Sequence, residues 1–145
     1  MKRLLCTIGL GLLAAAAPVY AQKASLNEPI DPRTTQAYSM LIERQVKVQA
    51  ELEALLKEYS SSWPSTKKLQ AELDALKNEM KKMSEMDQLL MPKLTLGVGS
   101  LILRKTTLIS EIKMLAQEEG PEWPTLKEKQ RELEPLDQEI QKILS

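Results

Sequence analysis

Tyr59-Ser60-Ser61-Ser62-Trp63-Pro64, followed by Leu69, Leu73 and Leu76, decides the fold of this chain. Before it, apolar residues recur at Tyr38, Leu41, Val48, Leu52 and Leu55 with alternating steps of three and four, and Gln45 fills one core-type slot. That spacing predicts a helix with one apolar stripe. The three serines end the stripe. The residue before a proline is pushed out of the α region, while proline itself suits the first helical position. Trp63-Pro64 therefore reads as a tight turn into a second helix, whose stripe continues through Met80, Met83 and Leu90, with Asp87 as a polar break. Upstream, Asp31-Pro32 supplies an N-cap acceptor and a proline at the first helical position. A helix from there to the serines would run about 28 residues, or about 42 Å. A loop of about four residues makes the two helices antiparallel.

The same unit occurs again 60 residues later. Leu41, Ile42, Arg44, Glu51, Leu55 and Glu58 recur as Leu101, Ile102, Arg104, Glu111, Leu115 and Glu118. Trp63-Pro64 recurs as Trp123-Pro124, and Lys67, Gln70, Glu72, Leu73, Leu76, Glu79 and Lys82 all have identical counterparts. These 15 identities fall without a gap in the 42 positions from 41 to 82, which marks an internal duplication. In the second copy Gly120-Pro121 suits a left-handed helix cap, and Pro135 is expected to kink or split the last helix. The expected fold is all-α, with two tandem antiparallel helical hairpins, residues 32–91 and 92–145. They could close as an up-down-up-down four-helix bundle, or spread into a coiled-coil array that completes its core with another subunit. Neither hairpin should be stable alone.

Ahead of the first hairpin lie a leader (1–21) and a short tail (22–31). Lys2 and Arg3, the apolar run Leu4 to Ala17, and Val19-Tyr20-Ala21 have the layout of a secretory signal, with cleavage expected after Ala21. The chain is then expected to be periplasmic or secreted, with no membrane span after cleavage, since no other apolar stretch is long and uninterrupted enough. Cys6, the only cysteine, leaves with the leader. Packing alone must then stabilise the fold, although export permits disulfides.

Composition narrows the function. The chain has no histidine and no phenylalanine, and is rich in the Leu, Glu, Lys, Gln and Ala of long helices. Its 20 basic and 20 acidic residues become 18 and 20 once Lys2 and Arg3 are removed, a net charge of −2. Nucleic acid is not the expected partner, because it requires a basic surface. Without histidine, and without cysteine beyond the leader, there is no ordinary Ser–His or Cys–His nucleophile and no histidine zinc site. Gly97-Val98-Gly99 follows no strand and lacks the third glycine of a phosphate loop. No enzymatic activity, metal or cofactor is expected.

Three features remain as candidates for interaction. Trp63 and Trp123 sit at the two turns, as hydrophobic plugs over the core or as docking tips. The run from Leu89 to Leu103, with Leu94, Leu96, Val98 and Leu101, is the most apolar stretch after the leader. It reads as a buried crossover between hairpins or as an exposed patch for self-association or client binding. Gly97, Gly99 and Ser100 would permit close helix approach there. The methionines, Met80 and Met83 above all, read as core filler before client surface.

Tyr59-x-x-x-Trp63-Pro64 with Leu69, Leu73 and Leu76 resembles the hairpin turn in the periplasmic coiled coils of polysaccharide chain-length regulators, which carry His-Pro there and have flanking membrane helices. In size, export and helicity the chain also resembles small periplasmic chaperones, without the motifs or the basic charge of those families. The resulting expectation is an exported structural or protein-interaction module that binds a protein partner or forms a homo-oligomer. The alternative is a holdase-type chaperone for unfolded clients.

Overall fold

The computed structural model of the protein describes residues 29–118 and 123–145. The expected leader, most of the tail and the cap expected at Gly120-Pro121 lie outside the described residues. Four α-helices form, with no strand among the described residues: α1 (Gln36–Glu58), α2 (Pro64–Ser84), α3 (Leu96–Glu118) and α4 (Pro124–Leu144). Every boundary of the second pair is that of the first plus 60, so the duplication extends from residue identities to element ends.

Local chemistry corrects three expectations. Asp31 does cap, accepting from the Arg33 amide, but it opens only a 3-10 turn, Pro32–Thr34. Thr35 is extended, at φ −77° and ψ 149°, and its hydroxyl accepts from the Tyr38 amide, so α1 starts at Gln36 and has 23 residues. Likewise α2 stops at Ser84. Extended Asp87 then caps a second 3-10 segment, Gln88–Lys93, which carries Leu90 off the α2 stripe. Pro135, finally, does not split α4, which is continuous around it. Both Pro135 and Arg131, whose carbonyl would have received the missing N–H, lie on the exposed side, where water can satisfy that carbonyl.

Ion pairs fix the helix directions. Arg44 meets Glu72 between α1 and α2, Lys68 meets Glu111 and Lys105 meets Glu79 between α2 and α3, and Lys129 meets Glu111 between α3 and α4. Each neighbouring pair is antiparallel, and both Trp-Pro turns lie at one end. The helices do not close into a square. α3 packs against all three others, α1 and α2 pack on each other, and α4 covers α3 without a packed interface to α1. Of the two arrangements open to the sequence, the protein adopts an intermediate one: the hairpins share a core, but one side of the bundle is open.

That core contains Leu41, Val48, Leu52, Leu73, Leu76, Met83, Met91, Leu94, Val98, Ile102, Leu108, Leu136 and Ile140. At the end opposite the turns, the parallel helices α1 and α3 touch. A Cβ on Gly99 would stand 2.8 Å from Ala37 Cα, so only glycine permits this approach. The Ala37 amide donates to the Leu94 carbonyl (3.2 Å), and the Leu96 amide to Gln36 Oε1 (3.3 Å). Gly97 has no such role, since its nearest neighbour would be Thr95 Oγ1 at 3.7 Å.

Candidate interaction surface

The junction is mainly a buried crossover. Leu94 and Val98 are in the core, and Leu101 packs partly against it. Leu96, the first residue of α3, is 54% exposed, and Leu89, at the start of the run, is more exposed still; these two are left on the surface. Met83 and Met91 are buried as well, which bears out the reading of methionine as core filler.

The tryptophans correct the plug reading. Trp63 is 50% exposed and Trp123 47%. Trp63 does fold back over the last turn of its hairpin, stacking on Tyr59 with ring centroids 5.2 Å apart, but Tyr59 is itself exposed. The pair forms an aromatic ledge at the turn end and seals nothing. An isolated Trp-Pro turn buries its ring only if a neighbouring helix overhangs it, and the sequence carries no sign of that.

A surface the sequence reading did not single out lies along α1. Ile42, Val46 and Leu56 are exposed, and Val46 is 63% so. Ala50 and Ala54 are exposed between them. Gln45, Val46, Gln49, Ala50 and Glu53 line a shallow depression on this helix alone. The signal was present: Ile42, Val46, Ala50 and Ala54 form a four-residue row off the stripe of Leu41, Val48, Leu52 and Leu55, and a helix with a second run of non-polar residues has a second neighbour to satisfy.

Polar residues at the helix contacts serve the fold. Glu72 is only 2% exposed, and its carboxylate accepts from Arg44 Nε at 2.7 Å. That hydrogen bond, against the opposing pull of burial, raises the Arg44 pKa. Lys105 Nζ lies between Glu79 (3.3 Å) and Asp137, which accepts a short hydrogen bond from it, and so joins α2, α3 and α4. Burial pulls its pKa down, but the Asp137 hydrogen bond and the two carboxylate charges outweigh burial and leave it raised. Below Lys105 a groove of about 320 Å³ opens between these helices, floored by Met83, Ile102, Ile140 and Leu144. Its charges, Glu79, Lys82, Lys105 and Asp137, already pair with one another.

Among the described residues no three acidic, histidine or cysteine side chains gather as a metal site would require, and no helix is long and apolar enough to cross a membrane. No protein-family model, curated protein or solved structure matches the chain.

Proposed function

We propose that the protein is an exported, non-enzymatic helical module that works by binding another protein chain. The open face of α1 carries this reading. Val46, Ala50 and Ala54 stand in water in one four-residue row that starts at Ile42, on a helix whose opposite side packs into the core. Apolar side chains in such a continuous row are most economically explained by a partner surface. The half-exposed tryptophans at the turn end add a second contact of the kind enriched in interfaces.

The holdase alternative has less support. It relied on the junction and the methionines, yet Leu94, Val98, Met83 and Met91 are in the core. Two assays separate the readings. Cross-linking in intact cells, followed by recovery of the adduct, is expected to give a discrete partner or a self-adduct; a folded chain that cross-links to nothing sinks the proposal. Suppression of aggregation of a denatured reporter at equimolar ratio would instead favour the holdase. Export rests on the pattern of residues 1–21, and N-terminal sequencing of the mature chain should read from Gln22.

A further inference from the structure

We infer that the partner of the α1 face is the α1 face of a second copy of this chain, laid antiparallel about a two-fold axis at Ala50. This rests on the protein-binding reading above and names its occupant.

The first observation comes from the duplication. Sixty residues on from Val46 and Ala50 stand Thr106 and Ser110, on the same face of α3 as Gly99. Both are fully buried, and Gly99 on that face is pressed against Ala37 of α1. In the second repeat this register of small residues is a closed helix–helix contact. In the first repeat the two matching positions, Val46 and Ala50, are exposed, and so is Ala54 one turn further on.

The second observation is charge. Around the helix at 100° per residue, Glu43, Val46, Lys47, Glu53, Ala54 and Lys57 all fall within about 60° of Ala50. Their order is antisymmetric: Lys47 and Glu53 stand three residues to either side of Ala50, and Glu43 and Lys57 seven residues to either side. A two-fold axis through Ala50 brings Lys47 level with Glu53 of the second copy, and Glu43 level with Lys57 of the second copy. The two Glu43–Lys57 pairs stand close to the seam and the two Lys47–Glu53 pairs reach across it from opposite flanks, while Ala50 meets itself and Val46 is level with Ala54. A parallel pairing in register sets each charge against its own kind and is disfavoured. The operation is closed, so it ends at a dimer. All four charged residues are exposed, and the pair already formed within the helix, Glu43 with Lys47 at 2.7 Å, leaves Lys47 two further N–H donors.

Light scattering across a concentration series of the purified chain tests this. The expected mass at high concentration is twice that of the monomer. Ala50→Glu sets two like charges on the axis, and Lys47→Glu faces Glu53 of the second copy with another carboxylate. Each should weaken dimerisation at least about tenfold, with circular dichroism unchanged, because Ala50 is exposed and the one pair Lys47 makes inside the fold, with Glu43, is itself on the surface. Lys47→Glu combined with Glu53→Lys restores the opposite pairing and should recover the dimer. A folded chain that stays monomeric at high concentration overturns the inference, and so does a dimer indifferent to Ala50→Glu. If that monomer still cross-links to one discrete partner in cells, the inference fails while the broader reading stands.

Discussion

α2 and α4 are two copies of one helix in different positions. Both have 21 residues, start at a Trp-Pro turn and carry the same Lys, Gln, Glu and Leu at matching positions. α2 is gripped by α1 and α3, and buries Thr66, Glu72, Leu73, Ala75, Leu76, Glu79 and Met83. α4 packs chiefly on α3, touches the Gln88–Lys93 segment at its far end, and buries only Leu126, Leu136, Ile140 and Leu144. Burial therefore follows from a helix's neighbours, not from its own sequence. Ala75 is buried where its counterpart Pro135 is exposed, and the buried Arg44–Glu72 contact has no counterpart: Glu132 is half-buried and pairs with Lys129, and Arg104 makes no ion pair among the described residues. Sequence drift was tolerated on the copy with one neighbour.

The comparison breaks most visibly if the two helices tolerate proline equally. Ala75→Pro should cost about 3 kcal/mol or more, because the ring clashes within a packed turn and α2 has no free side to relax into. Pro135→Ala should be neutral or stabilising, and urea unfolding of both variants measures the contrast. Next comes the ion pair. Arg44→Ala strands the buried Glu72 carboxylate and should cost roughly 2 kcal/mol, discounted from the fully buried case because Arg44 is part-exposed. Arg104→Ala should stay within about 0.5 kcal/mol. A smaller effect has the opposite sign. Thr66 is buried with no hydrogen-bond partner for its hydroxyl among the described residues, whereas its counterpart is the buried Leu126. Thr66→Val should stabilise by about 1 kcal/mol, read as a rise in the urea midpoint. The smallest concerns pH. The raised Lys105 pKa means its contribution is fully present below the ordinary value of 10.5 and lost as pH rises through the raised one. Tm should therefore be insensitive to Lys105→Met in its slope below about pH 10 and should fall less steeply than wild type above it.

Much of the fold was legible because it depends on period and punctuation. The three-four spacing, the two Trp-Pro turns and the 60-residue repeat specify four helices and their antiparallel neighbours. Less legible was what depends on competing local bonds. Thr35 satisfies the α1 N-terminus better than Asp31 can, and Asp87 starts a 3-10 segment where the apolar pattern seemed to continue. Least legible was which helix sits in the middle. Thr106 and Ser110 look like surface residues, and are buried because their hydroxyls return to the Leu103 and Thr107 carbonyls of their own helix. Val46 lies off the stripe and is exposed, on a side of α1 that neither α2 nor α3 packs against. The tryptophans were misjudged for a related reason: a large ring is buried only where neighbouring elements overhang it.

The stacked Tyr59–Trp63 ledge and the exposed Trp123 also determine what an optical experiment would report. Both indole rings stand half in water at one tip of the bundle, so their emission is already shifted to the red in the native state and changes little when the core is lost. Fluorescence should follow the loosening of the tip, which as an exposed turn opens at low free-energy cost, while the helical signal near 222 nm should follow the core. Melts recorded by the two probes should not superimpose, even with a core that unfolds in one cooperative step.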